Sequence, residues 1–216
     1  VVYSDADEPE TAAKVAGNVE AIFRTLALEL LPGIAQLPER LKLQVVAYRS
    51  RSSYAALLGA MPFYEWSAGF YSPAGLIAFH LEQPTSDAAT SLLLHEATHA
   101  FLDRHIVRRG VALPRWLGEG FADYVGNSEL RKGRLVPGRT VRGRYELWRG
   151  GISRIDTGGG LQIDRVKQAL KKGRGLSVPE LLESTPETFY GEDRELFYGS
   201  AWLLVHFLRD GSPGWA

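Results

Sequence analysis

The sequence contains no cysteine among its 216 residues. This absence excludes disulfide bonds and every metal site that uses thiolate ligands, so a bound metal would need histidine and carboxylate ligands. No apolar run approaches the length of about 18 residues that a membrane span requires. The formal net charge is zero, so whole-molecule electrostatics give no reason to expect nucleic acid or a membrane surface as a partner.

Length and composition indicate a globular protein with a substantial core. The chain is 45% hydrophobic and 23% charged, which is typical of a soluble domain. We expect one domain over residues 1–216 with two lobes, about 1–109 and about 110–216. Because the first residue is Val1 and not methionine, we expect a trimmed or mature chain and slightly favour a secreted, periplasmic or anchored protein.

The hydrophobic pattern predicts an α+β fold, with a small mixed or antiparallel sheet in the N-terminal lobe and a mainly helical C-terminal lobe. Asp5–Glu10 is acidic and is expected to be mobile at its start. The predicted elements are helix Glu10–Leu31, strand Leu41–Tyr48, a short helix capped by Ser52 or Ser53 that ends at Leu58, an antiparallel pair Glu65–Tyr71 and Gly75–Leu81, and helices Asp87–Arg108, Leu113–Val125, Ser177–Glu183 and Glu195–Arg209. The last helix is apolar nearly all round and is expected to be buried.

One stretch of the predicted helix Asp87–Arg108 carries a chemical motif, His95-Glu96-x-x-His99, inside an apolar run without glycine or proline. Successive helical residues advance by about 100°, so the two imidazoles and the carboxylate project from one face. This geometry suits two nitrogen ligands to one zinc ion with a carboxylate beside a metal-activated water. Composition alone produces the pattern in about one such chain in a hundred, so the surrounding sequence must decide whether the motif is a metal site or a coincidence.

A catalytic zinc site usually takes a third protein ligand, and His105 is the nearest candidate. The spacing imitates the metzincin pattern, in which a glycine breaks the helix after the second histidine. That position is Leu102 here, and the one methionine, Met61, lies upstream of the motif and not in a Met-turn downstream. An unbroken helix carries His105 about 9 Å along its axis from His99, out of reach. We therefore expect His105 to be a partly exposed residue near the helix end.

Glu119 is the second candidate and the one we favour. It lies 20 residues after His99 on the next predicted helix, which a short connection allows to fold back beside the first. Asp123 follows four residues later on the same helical face. Glu119 can ligate the metal while Asp123 accepts the free ring N–H of a ligand histidine, which would fix its tautomer. The alternative interpretation of the two acids is a solvated acidic face.

This combination resembles the gluzincin clan of zinc metallopeptidases, which includes thermolysin. The segment Pro114-x-Trp116-Leu117-x-Glu119-Gly120-x-Ala122-x-Tyr124 is similar to the peptidase MA-like families of that clan, and the likeness covers about residues 40–125. The segment around Tyr198–Leu208 resembles more loosely the helix that closes their second lobe. The resemblance implies a zincin-like fold with a cleft between the lobes, and peptide-bond hydrolysis. It assigns His95, His99 and Glu119 as ligands of one Zn²⁺, Glu96 as general base and Asp123 as support for a ligand.

Members of this clan also use a downstream tyrosine or histidine to stabilise the oxyanion. Tyr198 is our first choice for that role, with Tyr190 and His206 as alternatives. In this clan an edge strand pairs with the extended substrate, and Gly75–Leu81 fits that place in the element order. His80 on this strand could border the cleft, but an ordinary strand histidine is the simpler interpretation. The aminopeptidase signature Gly-x-Met-Glu-Asn is absent, which weakens an exopeptidase assignment.

Residues 131–174 form a basic segment, with 13 Lys/Arg and three acids. We expect a solvated, loop-rich region with a short helix near Gln162–Lys172. The expected partner of the protein is a peptide or protein substrate, with no nucleic acid and no membrane span in this chain. Two alternatives stay open: a catalytically silent zincin-fold domain that binds metal or a protein partner, and a polyanion-binding protein that uses the basic segment.

Overall fold

The computed structural model describes residues 1–8, 10–34, 43–59, 67–82, 86–107, 110–131, 134–137, 144–148, 151–155 and 159–211. The chain is a mixed α+β protein, as predicted, and it forms two compact units. The first comprises Val1–Val111 and Leu130–Leu135, and the second comprises Ala112–Glu129 and Val136–Ala216. Among the described residues, no helix has the length and apolar character needed to cross a membrane.

The described part of the first unit contains a small sheet and three main helices. Its elements are β1 (Val2–Ser4), α1 (Thr11–Thr25) continued by a π-helical turn (Leu26–Leu30), β2 (Gln44–Tyr48), α2 (Arg51–Leu58), β3 (Gly69–Ser72), β4 (Leu76–His80) and α3 (Ser86–His105). Two short strands, β5 (Glu129–Arg131) and β6 (Arg134–Val136), form a separate two-stranded sheet.

The four described strands of the main sheet lie in the order β1-β2-β4-β3. β1, β2 and β4 are parallel, with Val45 opposite Ile77, whereas β3 runs antiparallel to β4 with Phe70 opposite Ala78. The predicted antiparallel pair is therefore confirmed for these residues, although Glu65 lies outside the described part of the chain. The expectation that Gly75–Leu81 is an edge strand is wrong, because β4 is flanked by β2 and β3.

The apolar periodicity of the N-terminal helix is confirmed. Apolar residues at helical spacing, which continue through the π-helical turn, are buried at Val15, Val19, Ile22, Phe23, Leu26 and Leu30. The helix ends before Pro32-Gly33, where Gly33 adopts a φ of 83° that favours glycine. Sequence periodicity therefore identified which face of this helix packs into the core.

Two local predictions in the first unit are wrong, the cap of α2 and the end of α3. Ser50, and not Ser52 or Ser53, caps α2, because its hydroxyl accepts the backbone N–H of Ser53. Mobility at the acidic start of the chain stays a prediction; the strand before it, β1, pairs with β2, and the Asp5 carboxylate accepts the backbone N–H of Arg49. α3 ends at His105, three residues before the predicted end at Arg108, which itself lies outside the described residues.

The second unit is mainly helical. Its elements are α4 (Arg115–Gly126), the hairpin strands β7 (Arg144–Trp148) and β8 (Gly151–Ile155), α5 (Gly159–Lys171), α6 (Val178–Leu182), α7 (Pro186–Phe189), and α8 (Arg194–His206) with a π-helical extension (Phe207–Gly211). The β7–β8 hairpin corrects the expectation of a loop-rich basic segment. The helix predicted near Gln162–Lys172 is confirmed as α5.

Helix α8 is only partly buried. Ala201, Trp202 and Val205 are in the core, but Leu203 and Phe207 are 42% and 57% exposed. The expectation that this helix is buried on all sides is therefore wrong. Apolar residues lie on nearly all of its faces, but the described neighbouring elements cover only some of these faces.

Helices α4 and α8 pack closely at Gly120. A Cβ atom on Gly120 would lie 2.6 Å from the backbone oxygen of Ala201, a distance that real Cβ atoms do not adopt. Gly118, one half-turn earlier on α4, has only the Leu113 side chain near it, at 3.5 Å. The missing side chain at Gly120 thus permits the close approach of the two helix backbones, and it does so next to Glu119.

We expect Gly120→Ala to destabilise the protein, because the new methyl group would push α4 away from α8. Overpacking of this kind costs about 1–3 kcal/mol, which lowers the Tm of a protein of this size by about 2–4 °C for each kcal/mol. Gly118→Ala is the matched control, and should be neutral or stabilising by up to about 1 kcal/mol through helix propensity. Thermal unfolding of both variants tests this; equal Tm values would contradict the packing argument.

Candidate metal centre

The two motif histidines lie one turn apart on the continuous helix α3. Their Nε2 atoms are 3.0 Å apart, and both side chains are half-buried. The rings meet edge to face with centroids 4.7 Å apart. No glycine or proline interrupts α3 around them, so helical geometry alone brings the two nitrogens together.

The separation of the two nitrogens fits a shared ion. Nitrogen ligands lie about 2.0–2.1 Å from zinc, and a tetrahedral arrangement then separates them by about 3.3 Å. The observed 3.0 Å is close to that value. Without an ion, one ring nitrogen can donate a hydrogen bond to the other. Each of the two nitrogens therefore has a partner both with and without a bound metal ion.

Glu119 lies on α4 and is only 6% exposed. Its Oε1 atom accepts a hydrogen bond of 2.6 Å from the Tyr190 hydroxyl. A buried carboxylate is costly unless it is hydrogen-bonded or bound to a cation. Glu119 is therefore a buried, hydrogen-bonded carboxylate and not a solvated surface acid.

His95, His99 and Glu119 together form a group that could hold a metal ion. Each offers one ligand atom, and these atoms lie within 4.8 Å of one another. Two imidazoles and one carboxylate form a donor set that zinc accepts in catalytic sites. The chain has no cysteine that could provide a competing thiolate site.

A comparison of the sequence with known protein families and with curated proteins finds no match.

Glu96 and Asp123 accompany the ligand residues on the same two helices. Glu96 follows His95 on α3 and is buried. Asp123 lies one turn after Glu119 on α4 and is half-buried, and its backbone carbonyl accepts the side-chain amide of Asn127. Their roles as general base and as support for a ligand histidine stay predictions.

The three candidates for oxyanion stabilisation have different surroundings. Tyr190 donates to Glu119, whereas the Tyr198 ring packs against Phe189 and Tyr190 at centroid distances of 5.2 and 6.3 Å. His206 lies 3.4 Å from a carboxylate oxygen of Asp210, four residues later in the π-helical extension. Tyr190, one of the two alternatives to Tyr198, thus contacts a candidate ligand directly.

The hydroxyl of Tyr190 is held in its protonated form. Burial raises its pKa above the usual value of 10, and the negative charge of Glu119 raises it further, while Arg115 opposes the shift. The Arg115 guanidinium lies over the tyrosine ring, 5.2 Å from its centroid. Arg115 was missed at the sequence level, although its position four residues before Glu119 was a signal for an interaction on that face.

His105 is not a member of the candidate metal group, in agreement with the geometry of an unbroken helix. The expectation that it is partly exposed is wrong: it is 3% exposed, with its ring centroid 4.5 Å from that of Phe101.

His80, at the end of β4, is a buried strand histidine. It is 5% exposed and its ring lies 5.5 Å from the ring of Tyr54. Burial lowers its pKa from 6.5, with the charge of Arg51 acting in the same direction and Glu82 opposing it. These surroundings favour the neutral imidazole.

The first unit also contains an open cavity of about 480 Å³. Its walls include the apolar side chains of Phe79 and Leu93, and Lys14 and Arg49 are among its charged lining residues. Leu93 precedes His95 by two residues on α3, so the two side chains project in nearly opposite directions. The cavity is therefore on a different face of α3 from the histidine pair.

We expect Glu119→Gln to weaken zinc binding by more than the 10–100-fold that is typical for removal of a residue supporting a ligand. The amide keeps the size of the side chain but lacks the negative charge that favours a cation. His105→Gln is the control and should retain the zinc affinity of the wild type. Competition with a chromogenic chelator measures both; loss of zinc from the His105 variant alone would contradict the assignment of Glu119.

Acidification should cost the wild type more stability than a His80→Gln variant. The unfolded chain takes up a proton at His80 near pH 6.5, whereas the folded chain does so only at lower pH. The contribution of neutral His80 is therefore present above pH 6.5 and declines as the pH falls below it, by at most about 1.4 kcal/mol per pH unit. Urea unfolding at pH 7.5 and 5.5 checks this; equal losses in both proteins would contradict it.

Proposed function

We propose that this chain is a zinc-dependent metallopeptidase of the gluzincin type. The observation that carries the proposal is the convergence of His95, His99 and Glu119, with the buried Glu96 directly beside the first histidine. The resemblance of the motif and of the glutamate helix to peptidase MA-like families adds to it. The donor set and the Nε2 separation support zinc as the ion.

His95, His99 and Glu119 would hold the ion. When bound, zinc lowers the pKa of a water molecule and polarises a carbonyl group. The carboxylate of Glu96 would accept the proton of the attacking water and later deliver it to the leaving amine. Its burial favours this role, because a carboxylate with little access to solvent exchanges its proton with the reacting groups and not with bulk water.

A second element of the proposal concerns the strand that receives the substrate. β3 replaces β4 in this role, since β3 is at the edge of the described sheet. The backbone N–H of His80 bonds to Ala68, and such pairs alternate along an antiparallel ladder. The backbone groups of Gly69 and Tyr71 then point away from β4, where an extended peptide can add as a further strand.

The side chain of Tyr71 links this strand to the histidine helix. Its hydroxyl donates to Asp103 at 2.8 Å, and Asp103 lies one turn after His99 on α3. A peptide paired with β3 would therefore be held in a fixed position relative to the motif helix, which is the alignment that hydrolysis requires.

The decisive comparison is between the wild type and Glu96→Gln. We expect about one zinc per chain in both proteins and a loss of peptide cleavage by about 10²–10⁴-fold in the variant, because the amide cannot accept the proton. Elemental analysis and a peptide-library cleavage assay measure the two quantities. Zinc without cleavage in the wild type would support a silent zincin-fold domain, and equal cleavage by both proteins would remove Glu96 as the base.

A further inference from the structure

We propose that Tyr190 is a positioning residue that holds the Glu119 carboxylate in the orientation for metal binding, and that it does not serve as the donor to the oxyanion. This inference rests on the metal centre of the proposed function. It assigns to Tyr190 a task that neither the motif nor the resemblance assigns, and it leaves Tyr198 as the first candidate for stabilising the oxyanion.

Tyr190 is itself firmly anchored. It follows the short helix α7, and its backbone N–H bonds to the Pro186 carbonyl at 3.0 Å. Its neighbour Phe189 is fully buried in a cluster with Phe197 and Ala201 of α8. A side chain that begins at such a point has few alternative positions, so its hydroxyl is a fixed reference for the groups that it contacts.

The ring of Tyr190 is confined on several sides. The Phe189 ring lies edge to face at 5.4 Å, the Tyr198 ring lies at 6.3 Å, and the Arg115 guanidinium lies 5.2 Å from the ring centroid. Arg115 belongs to α4, the same helix as Glu119. The tyrosine therefore contacts α4 twice, through its ring and through its hydroxyl.

The hydrogen bond to Glu119 is strong for three reasons. At 2.6 Å it is short, as expected when a hydroxyl donates to an ionised carboxylate. The carboxylate is 6% exposed, so water competes weakly for it. The glutamate backbone is also restrained, because its neighbour Gly120 packs against Ala201. The hydroxyl therefore restrains a carboxylate whose main chain is already fixed.

The same bond argues against a role of Tyr190 at the oxyanion. A hydroxyl has a single proton, and this proton is directed at Glu119. Donation to a developing oxyanion would first break a charge-assisted hydrogen bond in a buried position and leave the carboxylate with one partner fewer. Stabilisation of an oxyanion requires donors that are already directed at it.

The test compares Tyr190→Phe with Tyr124→Phe. Tyr124 is a matched control, because it is a buried tyrosine of α4 whose hydroxyl also donates to a carboxylate, that of Asp210 at 3.3 Å. Competition with a chromogenic chelator gives the zinc Kd, and peptide cleavage at saturating zinc gives kcat. We expect Tyr190→Phe to weaken zinc binding by about 10–100-fold with kcat restored to near the wild-type value by excess zinc, and Tyr124→Phe to leave the zinc Kd unchanged.

An unchanged zinc Kd in Tyr190→Phe would overturn the inference, and a low kcat that excess zinc does not restore would return Tyr190 to the oxyanion. If Tyr190→Phe does not fold, Arg115→Ala is the second variant. It keeps the hydroxyl but removes one of the three groups that confine the ring, and it should weaken zinc binding in the same direction to a smaller extent. A wild type that binds zinc without cleaving peptides would refute the peptidase proposal alone, because the Kd comparison still decides the role of Tyr190.

Discussion

The burial of one carboxylate is the constraint on which the second unit depends. Glu119 cannot lie at 6% exposure without compensation for its charge, and the Tyr190 hydroxyl provides part of it. That hydroxyl reaches Glu119 because Phe189 anchors the preceding helix in the core. Glu119 stays in reach because Gly120 lets α4 approach the backbone of α8. The residues that pack the core of this unit, Phe189 and Gly120, therefore also position the polar groups of the candidate site.

Elements with strong local signals were predictable from the sequence. The helix at the N-terminal end of the first unit and strand β2 follow from the spacing of their apolar residues, which reports the buried face directly. β1 and the β7–β8 hairpin were missed, because three-residue strands and basic, glycine-containing segments resemble loops until they are paired. The order β1-β2-β4-β3 was also not predictable, since it depends on pairing between residues distant in the chain. Ser50 was overlooked as a cap because three serines lie close together there, and only backbone geometry distinguishes them.

The same division holds for the candidate site. His95 and His99 are neighbours because of helical spacing, so the five-residue motif was enough to predict that they lie close together. Their Nε2 atoms are 3.0 Å apart. The pairing of Glu119 with Tyr190 joins residues 71 positions apart, and no local pattern separates Tyr190 from Tyr198. The likeness favoured Tyr198 because that residue lies in the resembling C-terminal segment. The hydrogen bond from Tyr190 to Glu119 depends instead on Phe189, which anchors the end of α7 in the core. Side chains that support a site are set by tertiary packing, which a motif does not encode.

The histidine pair on α3 has a consequence for the chemistry of metal supply. Two imidazoles held one turn apart by a rigid helix act as a bidentate chelator, because the second nitrogen binds at a high effective concentration and loses little conformational freedom. Imidazole pairs bind Cu²⁺ and Ni²⁺ at least as readily as Zn²⁺, following the general order of divalent affinities. The helix thus selects for imidazole-binding ions as a class and not for one element. Which ion the group would hold then depends on the metals available where the protein folds, as well as on the geometry of His95, His99 and Glu119.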